Sequence, residues 1–145
     1  MRWLAIDPGE ARVGLAICDP EERVSVPLEV VPASAAFPAI RAIVAREGVQ
    51  GIVIGLPLLP SGDEGDAAAM ARRLGARIAR SIEVELVYED ERLTTVAAEA
   101  RARAGGSGDR SSDDLAAAIL LEQFLQRRRS APGTSAGGAA VDATA

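Results

Sequence analysis

The stretch Trp3-Leu4-Ala5-Ile6-Asp7-Pro8-Gly9-Glu10-Ala11-Arg12-Val13-Gly14-Leu15-Ala16-Ile17-Cys18-Asp19 decides how the rest of the chain is read. Trp3 to Ile6 form a short apolar run, the pattern of a strand buried on both faces. Asp7 stands where that run ends, and Pro8-Gly9 breaks it. Val13 to Cys18 then reads as the returning strand. A carboxylate at the exit of a central strand costs desolvation energy unless something pairs with it. Asp before Pro-Gly also suits a plain turn cap, so the choice between site and turn lies elsewhere in the chain.

Outward from this hairpin, a polar turn at Pro20-Glu21-Glu22-Arg23 leads into a third strand over Val24 to Val31. Pro27 inside it predicts an edge strand or a bulge. A helix is expected from Ala35 to Glu47, with Phe37, Ile40, Ile43 and Val44 at helical spacing and Gly48 as its stop. Val49 to Leu56 is a compact apolar strand, followed by the breaker-rich loop Pro57-Leu58-Leu59-Pro60-Ser61-Gly62. A second helix is expected from Asp63 to Ser81, with Met70, Leu74 and Ile78 as its buried stripe. Arg73, Arg77 and Arg80 share another of its faces, which reads more simply as a solvated face than as a phosphate track. A fifth strand spans Ile82 to Tyr88, with Val84, Leu86 and Tyr88 on one side. Helices over 95–104 and Asp113 to Arg128 follow, separated by a Gly/Ser-rich loop. The order β-β-β-α-β-α-β-α-α predicts an α/β fold: three antiparallel meander strands, then strand-helix alternation, in a mixed five-stranded sheet flanked by helices. In such sheets sites form beyond the carboxyl ends of central strands. One domain is expected over 1–129; the tail 130–145, rich in Ala, Gly, Ser and Thr, has little to bury and is expected to be disordered.

Composition excludes several chemistries. The 145 residues contain no histidine, which removes Ser-His-Asp and Cys-His catalysis and histidine-ligated zinc. Cys18 is the single cysteine and reads as a small core residue. Aromatics are 3% of the chain, too few for base-stacking platforms. A net charge of −5 argues against a protein that coats nucleic acid, although every basic residue is Arg, the side chain suited to bidentate phosphate contact. No apolar segment is long enough to span a membrane and the N-terminus shows no basic-then-apolar signal, so a cytoplasmic location is expected.

With histidine gone, hydrolytic chemistry falls to carboxylates. Asp7 ends the first strand, Glu91 or its neighbour Asp90 follows the fifth, and Asp113 or Asp114 opens the last helix. Such termini can converge on hard cations, which need oxygen ligands and keep several waters. Two such ions would activate a water and stabilise a leaving oxygen in phosphodiester cleavage. Helix-dipole capping alone would also account for Asp113 and Asp114.

Four motifs, in order, resemble the YqgF/RuvX family: Asp7-Pro8-Gly9-Glu10-Ala11-Arg12-Val13-Gly14-Leu15-Ala16; Ile54-Gly55-Leu56-Pro57 with Ser61-Gly62; Asp90-Glu91-Arg92-Leu93-Thr94-Thr95; and Asp113-Asp114-Leu115-Ala116-Ala117-Ala118-Ile119-Leu120-Leu121. The resemblance covers roughly residues 3 to 127. It implies an RNase H-like fold and a nuclease, described in the family both as a Holliday junction resolvase and as the enzyme that matures the 5′ end of pre-16S rRNA. It also implies a catalytic and metal-binding triad of Asp7, Glu91 and Asp113 holding Mg²⁺ or Mn²⁺ in a two-metal site. Arg12 and Arg92 match the basic positions, and Gly9 and Gly14 the glycines, as substrate-binding residues. The Gly55-to-Gly62 loop could receive a phosphate. Here the chain departs from the family in one loop, Gly106-Ser107-Gly108-Asp109-Arg110, which carries less basic charge. The expected partners are precursor rRNA, within ribosomal precursor particles, or branched DNA; the chain would act as a monomer or a homodimer. Competing readings are a nucleic-acid-binding module without strong activity and the actin/sugar-kinase superfamily, for whose two nucleotide-clamping domains the chain is too short.

Overall fold

A computed structural model of the chain describes residues 1–91 and 112–130, with side chains in the final helix from residue 115 onward. Five strands, β1 (Trp3–Asp7), β2 (Arg12–Cys18), β3 (Ser25–Pro32), β4 (Gly51–Leu56) and β5 (Glu85–Asp90), form one sheet in the order β3-β2-β1-β4-β5. β1, β2 and β3 are the antiparallel meander, while β4 and β5 join β1 in parallel. Helices α1 (Ala36–Glu47), α2 (Asp66–Ser81) and α3 (Ser112–Ser130) cover it. The predicted helix over 95–104, the loop after it and the tail beyond Ser130 lie outside the described residues.

The expectation that β1 is buried on both faces holds: Trp3, Leu4, Ala5 and Ile6 are all fully buried. Alternation splits them between two cores. Leu4 and Ile6 join Ile52 and Ile54 of β4 under α1 and α2, with Phe37, Ile40 and Ile43. Trp3 and Ala5 join Ala16, Cys18 and Val53 under α3, against Ala117, Leu120, Leu121 and Phe124. Pro27 stands in an edge strand and beside a bulge at once. Leu15 pairs with Glu29 but Ala16 with Pro27, so Leu28 is the extra residue.

The second helix and the fifth strand differ from the sequence expectation for identifiable reasons. The helix expected from Asp63 begins at Asp66 because 58–64 close a small turn. Leu58 bridges Glu64, the Leu59 N–H donates to the Asp63 carbonyl (2.9 Å), and Gly62 takes the left-handed conformation at φ 95°. The buried stripe of α2 is also smaller than expected. Ala68, Ala71, Gly75 and Ile78 are buried while Met70 and Leu74 sit half-buried beside them. A methyl on Gly75 would collide with the Tyr88 hydroxyl, so α2 approaches β5 closely at that point. The fifth strand lies at 85–90 rather than 82–88, because pairing from Gly51↔Glu85 to Leu56↔Asp90 sets its limits. Asp90 is therefore the last strand residue, and Glu91 stands one step beyond.

Candidate active site

β1 and β5 flank β4, and both end at the same edge of the sheet. Side chains alternate along each strand. Asp7 therefore shares a face with Trp3 and Ala5, which is the face that α3 covers. Asp7 closes β1, Glu91 follows β5, and the Asp7 carboxyl group lies close enough to that of Glu91 to raise its pKa. They meet across β4 at Gly55. A methyl there would overlap the Glu91 carboxylate, coming within 2.7 Å of its Cγ. The strand between the two acids is thus bare where their side chains need to cross it.

Two carboxyl groups this close do not both ionise readily. Burial, then the hydrogen bond and charge of Asp7, then the charge of Asp90, push the Glu91 pKa up to about 9. Its Oε2 atom is closed off from solvent. At neutral pH the pair therefore holds a proton that a divalent cation would displace. Both donors are hard oxygens, which fits Mg²⁺ or Mn²⁺ rather than a soft metal. Among the described residues no group of three metal-ligating side chains forms. The third expected ligand, Asp113, is the second residue of α3, and its side chain lies outside the described residues, as does that of Asp114. Arg92 lies outside them as well.

The other expected residues surround Asp7. Gly14 is its cross-strand partner on β2 and presents no side chain beside the carboxylate. Gly9 sits where a methyl would strike the Arg12 carbonyl oxygen at 2.5 Å, so the turn between β1 and β2 requires a glycine there. Arg12 is exposed at the start of β2. Sequence reasoning passed over Glu89, which is buried on the α3 face with Arg127 at 3.3 Å and the Gln123 amide at 3.5 Å. Burial raises its pKa, opposed by Arg127. The signal was available in the alternation: Val84, Leu86 and Tyr88 face one way, so Glu89 must face the other with Val87.

A mixed sheet in this strand order, with an acidic pair across its central strands, defines an RNase H-like α/β protein. Two solved structures share the fold. One is a Thermus thermophilus RuvC, with a TM-score of 0.61 at 16% identity, covering 89% of this chain and 96% of that one. The other is the T. thermophilus RuvC in complex with Holliday junction substrate, with a TM-score of 0.60, also at 16% identity, covering 90% and 96%. The family model RuvX, described as Holliday junction resolvase, matches residues 1–127, and the chain belongs to that family. Relatives include a Streptomyces coelicolor protein named "Putative pre-16S rRNA nuclease", 40% identical over 88% of this chain and 81% of its own length. A Chloroflexus aggregans protein of the same name is 38% identical over 87% of this chain and 94% of its own length.

Proposed function

We propose that this chain is a divalent-metal-dependent nuclease that hydrolyses phosphodiester bonds in structured nucleic acid, with pre-16S rRNA as its substrate and 5′-end maturation as its task. The observation that carries the reading is the Asp7–Glu91 carboxyl pair meeting across Gly55 at the carboxyl edge of the sheet. The names of its relatives supply the substrate.

Asp7 and Glu91 would hold Mg²⁺ or Mn²⁺, with Asp113 as the third ligand. Support for Asp113 comes from the placement of α3. Phe124 packs edge-on to Trp3 at 4.7 Å, and the Arg128 guanidinium lies 4.9 Å from the Trp3 ring centroid, so the C-terminal turns sit at the start of β1. From Phe124 back to Asp113 is about 16 Å of helix, and from Trp3 to Asp7 about 13 Å of strand. The two lengths match closely enough to bring the first turn of α3 toward Asp7. When bound, the cations supply a water of lowered pKa and neutralise charge on the leaving oxygen. The protein's part is to hold the acids on rigid element ends, with Gly9 and Gly14 keeping the approach to Asp7 open and Arg12 meeting a phosphate.

The test is cleavage of a precursor rRNA fragment and a DNA four-way junction side by side, with Mg²⁺ and with EDTA. Metal-dependent cutting of the RNA is expected. Full cleavage in EDTA overturns the metal reading, and preference for the junction makes the protein a resolvase instead. The family description is the observation that favours this second reading.

A further inference from the structure

The arginines of α2 point to a second nucleic-acid contact, away from the carboxylates. Among the described residues, Arg2, Arg23, Arg46, Arg72, Arg127 and Arg128 each lie within ion-pair distance of a carboxylate. Arg41 of α1 and Arg73, Arg77 and Arg80 of α2 are exposed and make no ion pair with any described residue. Residues 73, 77 and 80 fall on one helix face at spacings of four and three. Arg41 is brought to the same surface by Phe37: its guanidinium lies 5.5 Å from the ring centroid, and that of Arg77 lies 4.1 Å from the same centroid. One ring thus fixes two cations within mutual repulsion distance in a chain of net charge −5. Fixed guanidinium groups left without carboxylates suit the phosphates of a polyanion, which they can contact bidentately. The same charge disfavours a two-fold contact of this face with its own counterpart in a second copy.

We propose that Arg41, Arg73, Arg77 and Arg80 form a docking surface for the phosphate backbone of the RNA substrate, remote from the bond that is cut. The identity of the polyanion rests on the nuclease reading. α2 starts beyond the carboxyl end of β4, beside the site, and runs back along the sheet; Arg77 lies about 16 Å along the helix from Asp66. The surface is also on the sheet face opposite α3. It therefore engages only RNA long enough to reach around the sheet edge, and it contributes affinity and register rather than chemistry.

The experiment measures binding of a long structured precursor rRNA fragment to the full chain in EDTA, across a salt series. Cleavage of that fragment and of a short oligonucleotide is then measured with Mg²⁺. The variants are Arg41→Gln/Arg77→Gln, Arg73→Gln/Arg80→Gln, the same pairs changed to Lys, and Arg23→Gln as an ion-paired control. Each Gln pair is expected to weaken binding of the long RNA about tenfold or more. Each should also reduce the slope of log K against log salt by about one for every phosphate no longer neutralised. The Lys pairs should recover most of the affinity, Arg23→Gln should match the parent, and cutting of the short oligonucleotide should not change. Parent-like affinity and slope in both Gln pairs overturn the proposal, as does an equal loss in Arg23→Gln. So does a parent that sediments as a dimer dissociated by the Gln pairs without loss of RNA affinity. If instead the parent binds RNA through these arginines but cuts nothing, the nuclease reading fails and the docking surface stands.

Discussion

At the residue scale the site depends on one absent side chain. Gly55→Ala would place a methyl against the Glu91 carboxylate. The strand should survive at an overpacking cost of about 1–3 kcal/mol, while the displaced acid lowers cleavage on the order of 10²-fold. A folded Gly55→Ala protein that cuts at the parent rate would show that the contact across β4 is incidental. Asp7→Asn is expected to abolish cleavage and to hold or raise stability without metal, since it removes charge from an acidic cluster. The pH dependence follows from Glu91, whose folded pKa of about 9 lies above the unfolded one. The folded state then binds more protons between those values, so metal-free stability falls as pH rises from about 5 to 9. Urea midpoints across that range should show the decline, with a shallower slope in Asp7→Asn and a reversal when Mg²⁺ is added at high pH. Asp113→Asn should remove nearly all activity with little loss of stability. Asp114→Asn should keep most activity and cost about 0.5–1 kcal/mol, the size of a capping effect. The opposite outcome in the two variants moves the third ligand to Asp114.

At the element scale α3 is the piece whose placement matters most: Gln123 and Arg127 tie it to Glu89 near the acids, and a clamp at Glu22 holds its last turn. Arg128 donates to both Glu22 oxygens at 2.8 and 2.9 Å, and the amino terminus lies 3.4 Å from the same carboxylate. Burial works against the charge on Glu22, but Arg128 and the amino terminus prevail and hold its pKa below the usual range. A depressed carboxylate stabilises above the unfolded pKa and loses that contribution as pH falls through the folded one. Glu22→Gln should therefore cost about 2 kcal/mol at neutral pH and lose its effect in acid; equal urea midpoints at neutral pH would refute the clamp. This clamp was not legible in the sequence, because it joins residues 106 positions apart. The strands were legible, since burial on one face or two writes itself into alternation. The start of α2 was misread because Asp63, Glu64 and Asp66 all look like first-turn acids. Glu64 in fact serves a loop, paired with Arg72 at 2.7 Å.

At the scale of the whole molecule, the family motifs pointed to Asp7 and Glu91 and strand alternation pointed to Glu89, whereas the role of Gly55 emerges only when β4 and β5 lie side by side. No helix among the described residues is long and apolar enough to cross a membrane. Ser130, expected in the tail, instead closes α3, and residues 131–145 offer no apolar face in sequence. Their deletion should leave melting temperature and activity nearly unchanged, and a marked fall in either would mean that they dock or bind substrate. Cys18 has a use of another kind. It is the chain's single thiol, 2% exposed, with the Trp3 N–H donating to its sulfur at 3.2 Å. A disulfide reagent can reach it only when α3 lifts from the sheet or β1 and β2 part, so the labelling rate is a clock for opening of the core beneath α3. One label per chain makes the readout stoichiometric without an engineered probe, and RNA or metal that braces the sheet should slow that clock.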